Sequence, residues 1–280
     1  MEKRQATAGD WVDLIESRIE LGREWRRRLA DHKELASASR YVRILGRTFR
    51  PVSISDRNPC GHLRHKDKDR EIEGRRDLEK IVAETRSATS GEPKAGKPEH
   101  GVQAFLIRAA MQKELRFGAN LSGFSDLFEE LIFITDEFSL DNGKVRADIV
   151  ALARKPQQQR QDARFFPVFI ELKAKRTLTT VLKQLRNAHD LLWKNERARR
   201  AFVQFLSAVS GVPTDQIDQN PEAPRRMVIW PKSSSGEEVP EVEAARKDGF
   251  LFVEFVFVAS ARPPYTFSRS TSPRPRIDGE

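Results

Sequence analysis

The chain has 280 residues, 38% of them hydrophobic and 32% charged, a foldable balance that at roughly 100–200 residues per domain allows one large domain or one domain with an extension. No apolar run reaches the ~18 residues of a membrane span, and the N-terminal MEKRQATAGDWVDLIESR has no apolar signal core, so the expectation is a protein neither secreted nor embedded in a membrane. Cys60 is the only cysteine, which excludes an internal disulfide and fits a reducing cytoplasm, while 50 Lys+Arg against 41 Asp+Glu (net +9) points to a polyanionic partner, nucleic acid being the commonest.

In chain order, residues 10–34 read as a helix: Asp10 is placed to cap it, and Trp11, Leu14, Ile15, Ile19, Leu21 and Trp25 recur at near-helical spacing. Arg18, Arg23, Arg26, Arg27 and Arg28 occupy the other face. Tyr41 to Phe49 is a second apolar stretch, residues 51–74 are mostly loop, and residues 75–86 form a further short helix. SATSGEPKAGKPE then concentrates Gly, Pro, Ser and Lys, which is linker chemistry. The expected organisation is a basic helical N-terminal region (1–86), a linker (87–98), a main domain (99–258) and a disordered Pro/Ser/Arg-rich tail (259–280).

In the main domain the spacing predicts a helix over 99–116, with Val102, Phe105, Leu106, Ala109 and Ala110 as its buried stripe. A strand over 131–140 and another over 145–154 flank Asp141-Asn142-Gly143-Lys144, and Asn-Gly between two strands is a hairpin signal. A third strand covers 164–174, with Pro167 at its start or at an unpaired position. A helix over 177–198 buries Leu178, Val181, Leu182, Leu185, Ala188, Leu192 and Trp193. A strand over 226–232, a short helix over 236–247 and a strand over 250–258 complete the order. The fold class is α/β: an αβββαβ core with a mixed central sheet flanked by helices, followed by a fifth strand, plus a helical N-terminal extension.

Charge is sharply sorted within this domain. Residues 118–141 hold six acids and no base, whereas residues 173–200 hold nine bases and two acids. Such a chain can set an acidic pocket beside a basic surface, as metal-assisted chemistry on a phosphate backbone requires. Two solvated faces of opposite sign are the bland alternative.

The chemistry-bearing residues fall on the second and third strands. Alternation puts Asp148 with Val150 and Leu152 on one face, and Ala147, Ile149 and Ala151 on the other. Glu171 and Lys173 are two apart and share a face. A carboxylate and an ammonium on a core strand are costly unless paired or assigned to chemistry, so a structural ion pair is the plain reading of Glu171-Leu172-Lys173. Asp148, 23 residues upstream on the neighbouring strand, adds a second carboxylate. Two carboxylates and the Leu172 carbonyl suit Mg²⁺, a hard cation that keeps several waters. The ion would activate a water and polarise a phosphate, with Lys173 orienting that water or offsetting negative charge. The following basic helix, with Lys175, Arg176, Lys183 and Arg186, would carry the nucleic-acid backbone.

Asp148 in RADIVAL and Glu171-Leu172-Lys173 in VFIELKAK, within an αβββαβ order, resemble the PD-(D/E)XK nuclease superfamily, also called restriction-endonuclease-like, over about residues 99–258. The resemblance implies a Mg²⁺-dependent deoxyribonuclease, with Mn²⁺ able to substitute, in which Asp148 and Glu171 bind the metal and Lys173 is the catalytic lysine. It also implies a helix acid, for which Glu99 in PEHGVQAFL stands at the family position. Gln103 follows one turn on, as in the Glu-x-x-x-Gln openings of some branches, including Shedu-type antiphage nucleases. Glu114 is the alternative; the N-terminal placement of Glu99 and its spacing to Gln103 favour Glu99. Gln184 in VLKQLRNAHDLL matches the glutamine of RecB-like members, although Ala188 stands where these carry tyrosine, and Ala147 precedes Asp148 where the motif has proline. Roles in phage defence, restriction or repair, a homodimer and a protein partner in such a system follow by analogy only. The alternative function is a non-catalytic module on the same fold that binds nucleic acid or a protein.

Other signals are weaker. Cys60, His62 and His65 crowd into one loop without an obvious fourth ligand, so a solvated loop is expected rather than zinc. Trp25 and Trp193 have core spacing, and His189 is read as a surface histidine.

Overall fold

The structure, a computed structural model, describes residues 11–20, 23, 99, 101–103, 105–106, 121–122, 126–140, 144–157, 164–176, 178, 180–233, 241–261 and 264–270. The stretches expected at 41–49, 51–74 and 75–86, the linker, Trp25, Arg26–Arg28, Cys60, His62, His65 and Glu114 lie outside them.

A seven-stranded mixed sheet forms the centre. Its strands are β1 (Leu121–Ser122), β2 (Glu130–Leu140), β3 (Val145–Arg154), β4 (Phe165–Leu172), β5 (Arg225–Pro231), β6 (Phe250–Phe257) and β7 (Tyr265–Arg269). Across the sheet the order is β1-β7-β6-β5-β4-β3-β2. The β2–β3 hairpin closes on Leu140↔Val145, as the Asn-Gly spacing predicts, and β4 runs antiparallel to β3. From β4 onward the pairing turns parallel, β4 to β5 and β5 to β6, which demands crossover connections. Pro167, expected at the strand's start or unpaired, is instead the third residue of β4 and pairs with Leu152 of β3, although it precedes the first β4–β5 pair, Val168↔Arg225.

Helices cover both faces. These are α1 (residues 11–20), α2 (helical at residues 99, 101–103, 105 and 106), α3 (Val181–Trp193), α4 (Glu196–Ser210) and α5 (Glu241–Lys247). On one face α1, α3, α4 and α5 pack against Phe138, Phe169, Val228, Trp230 and Phe252. On the other, Val102, Phe105 and Leu106 of α2 pack against Phe133, Ile149, Ile170, Met227 and Phe255. Rings of Phe138, Phe169, Phe202, Phe205 and Trp193 stand in a chain of contacts 5.8–6.2 Å apart, tying β2 and β4 to α3 and α4. Each such pair adds about 0.5–1.5 kcal/mol beyond its buried area.

Several expectations are corrected. The helix expected over 177–198 is two helices, because Asn195 breaks the run and caps α4 by accepting the Ala198 N–H at 3.1 Å. Gly211, at φ 79°, closes α4 in the left-handed conformation. The tail expected to be disordered supplies β7, whose Tyr265 and Phe267 are buried against Phe105. Alternation in β3 slips at Asp148: Ile149 and Ala151 join the core beneath α2, whereas Ala147 joins the opposite core with Val145. The bulge between Phe133 and Thr135 in the paired strand β2 belongs to the same distorted stretch. The helix expected at the N-terminus is present at residues 11–20, with Trp11, Val12, Ile15 and Ile19 buried in the α3–α4 core. Arg197 of α4 fastens it by donating to Asp13 at 2.7 Å and Glu16 at 3.1 Å.

Candidate active site

The pairing of β3 with β4 runs from Arg154↔Phe165 to Ile149↔Ile170. One step beyond, Asp148 and Glu171 emerge where that ladder ends. Asp148 is half-buried there, and its Oδ2 accepts the backbone N–H of Leu172 at 2.7 Å. The carboxylate thus takes a donor that a continued ladder would have given to a carbonyl. Pairing with β5 is unbroken here, through Glu171↔Val228 and Leu172↔Ile229, and the Lys173 N–H extends it by donating to the Ile229 carbonyl at 2.9 Å. Glu171 and Leu172 therefore lose their β3 partners while keeping those on β5.

Glu171 is 4% exposed. Its Oε1 accepts from the Lys173 ammonium at 2.8 Å, as the shared face requires. Its Oε2 is buried and has no hydrogen-bond partner. An unsatisfied buried carboxylate oxygen costs free energy, and a cation or ordered water at that atom would offset it. Lys173 is more open, so the pair has one sheltered and one accessible end.

Glu99, the expected helix acid, has a related character. Glu99 Oε2 on α2 is also buried and without a hydrogen-bond partner. One turn further, Gln103 is 2% exposed, and its Nε2 donates to the backbone carbonyl of Asp148 at 2.9 Å. This contact joins α2 to the site. The sequence placed Gln103 one turn after Glu99, but no pattern in it announced Asp148 as its partner, 45 residues away.

Among the described residues, no group of three or more His, Cys, Asp or Glu side chains is arranged to hold a metal ion. Glu99, Asp148 and Glu171 are therefore not a ready three-carboxylate cage. The oxygen donors that remain suited to a hard cation are Asp148, the orphaned Glu171 Oε2 and the Leu172 carbonyl, a set that Mg²⁺ completes with water.

The expected basic contacts divide. Lys175 and Lys183 are exposed. Arg176 is paired with Glu254 and lies over the Trp230 ring, 4.6 Å from its centroid. Arg186 is 2.5 Å from Asp248. Gln184 is half-buried on α3. His189 is not on the surface: it is 8% exposed, and its Nε2 lies 2.8 Å from the Pro221 carbonyl. Trp193 is core, as its spacing predicts, and its Nε1 donates to the Asn220 carbonyl at 2.7 Å. These two polar tips hold the turn before β5. No helix among the described residues is long and apolar enough to cross a membrane. Compared with protein-family models, curated proteins and solved structures, the chain matches none.

Proposed function

We propose that the chain is a metal-dependent nuclease hydrolysing DNA phosphodiester bonds at a PD-(D/E)XK-type site. The observation that carries this reading is Glu171: buried, with one oxygen on Lys173 and the other without a hydrogen-bond partner, directly beyond the last β3–β4 pair and beside Asp148. A purely structural Glu–Lys pair has no use for the second carboxylate or for an orphaned oxygen.

Asp148, Glu171 Oε2 and the Leu172 carbonyl would hold Mg²⁺ or Mn²⁺, and Glu99 would act through a bridging water. When bound, the cation supplies Lewis acidity and lowers the pKa of a coordinated water. Lys173, hydrogen-bonded to Glu171 at 2.8 Å, offsets the negative charge that grows on the phosphate. Gln184 orients the lysine, the water or the phosphate. Water gives up a proton as its oxygen bonds to phosphorus, one P–O ester bond breaks, and the departing oxygen takes up a proton and leaves as a hydroxyl. Lys175 and Lys183 carry the backbone contacts, while Arg176 and Arg186 serve chiefly to hold the fold.

Cleavage of supercoiled and linear DNA by wild type and Lys173→Ala, each with Mg²⁺, Mn²⁺ or EDTA, tests the proposal. Metal-dependent cutting by wild type and none by the variant is the expected result. Metal-dependent binding without cutting by either protein would favour the non-catalytic module. Absence of both metal binding and cutting in wild type would leave Glu171–Lys173 a structural pair.

A further inference from the structure

We infer that Gln103 is a positioning residue that sets the affinity of the site for its cation by holding the main chain of Asp148; this inference rests on the nuclease reading. Asp148 lies where two kinds of order change at once, although pairing with β2 continues on either side of it. The β3–β4 ladder stops at Ile149, and the alternation of β3 slips between Ala147 and Ile149. A residue at such a break is not oriented by regular pairing alone. Its carbonyl accepts Gln103 Nε2 at 2.9 Å, and its Oδ2 accepts the Leu172 N–H at 2.7 Å.

The two contacts approach the residue from different elements. Leu172 belongs to β4, the strand that carries Glu171 and Lys173. Gln103 belongs to α2, anchored on the sheet by Val102, Phe105 and Leu106, all buried. Gln103 is itself 2% exposed, and a buried amide is retained at a cost unless its hydrogen bonds are made. Its side chain therefore locks the distance between helix and strand, and with it the angle at which the Asp148 carboxylate meets β4. Residues that orient a ligand without touching the metal commonly change metal affinity by about 10–100-fold. Gln103 takes that role through the backbone rather than through the carboxylate. The same bond fixes α2, and so Glu99 one turn earlier, relative to Asp148.

The test uses the full chain and two readouts. The first is amide hydrogen exchange in wild type and Gln103→Met, a replacement of similar volume that cannot donate. Exchange at Leu172, whose N–H rests on the Asp148 carboxylate, is expected to rise about tenfold relative to Val228 and Ile229 in β5. The second is Mn²⁺ binding, followed by electron paramagnetic resonance and calorimetry, in wild type, Gln103→Met, Gln103→His and Asp148→Ala. Gln103→Met should bind about tenfold more weakly, on the scale of such orienting contacts. Gln103→His, which restores a donor, should recover part of that loss, and Asp148→Ala should abolish binding. Unchanged Leu172 exchange, or unchanged Mn²⁺ affinity in Gln103→Met beside a wild type that binds, overturns this inference and leaves the nuclease reading intact. A wild type that binds no Mn²⁺ overturns both.

Discussion

The carboxylate of Asp148 and the backbone N–H of Leu172 meet at 2.7 Å, so the acid of one strand caps the next strand where their ladder ends. A side chain here completes what the backbone leaves open. Asp148→Ala removes the acceptor and strands that N–H, and should lower unfolding free energy by about 1–3 kcal/mol. Asp148→Asn keeps an acceptor oxygen and should stay within about 1 kcal/mol of wild type in a urea titration. Both variants should lose metal-dependent cleavage. Stability separates them and activity does not.

The Glu171–Lys173 pair gives a second separation. Lys173→Met leaves a carboxylate, 5% exposed along its side chain, without its cation, and should destabilise the protein by on the order of 3 kcal/mol. Glu171→Met with Lys173→Met removes both charges and should recover most of that loss, or exceed wild type. A stable but inactive double variant would show that the pair is kept for chemistry rather than for folding. Chemical denaturation of the three proteins, paired with the cleavage assay, measures it.

Asp218 makes stability depend on pH. Burial opposes its ionisation, but the Lys155 ammonium at 2.5 Å and the Asn220 N–H at 3.1 Å more than compensate, so its carboxyl titrates below the ordinary range. Its folded pKa is thus depressed below an unfolded value of about 3.9. The contribution is fully present above that value and is lost as pH falls through the folded pKa. Lys155→Met should therefore cost about 1–3 kcal/mol at pH 7. The gap to wild type should close in thermal melts taken progressively below pH 4.

Gly249 joins α5 to β6 at φ 80°. A Cβ there would stand 3.5 Å from the Arg226 guanidinium, an ordinary contact, so the strain of Gly249→Ala lies in the backbone. A loss of about 1–2 kcal/mol is expected on thermal unfolding. The Arg226 side chain, which donates to the Asp248 carbonyl and lies over the Phe250 ring, should stay in place.

His189→Leu and Trp193→Phe each delete one hydrogen bond to the turn at Asn220–Pro221. Each should cost about 1–2 kcal/mol, and a crystal structure of either variant should show that turn displaced while β4 and its acids remain.

Much of the core was legible because its signals are local. The strands over 131–140, 145–154, 164–174, 226–232 and 250–258 appear within one or two residues of those bounds at the ends described, since side-chain alternation and turn residues such as Asn142-Gly143 are written along the chain. The shared face of Glu171 and Lys173 was legible for the same reason, and their 2.8 Å contact follows from it. The break at Asn195 could have been read from its capping chemistry, and β7 was hidden by the polar composition of the tail around Tyr265 and Phe267.

What pattern could not supply is anything that depends on two distant segments meeting. The slip of alternation at Asp148, the capture of its carbonyl by Gln103, and the diversion of Arg176 and Arg186 to Glu254 and Asp248 are such cases. The buried state of His189 is another, set by the Pro221 carbonyl 32 residues away. Sequence alone determined which residues lie on strands β2 to β6, because period and turn chemistry act between neighbours. Tertiary structure alone decided which oxygen is left without a hydrogen-bond partner, because a buried polar group is satisfied only by what the rest of the fold brings beside it.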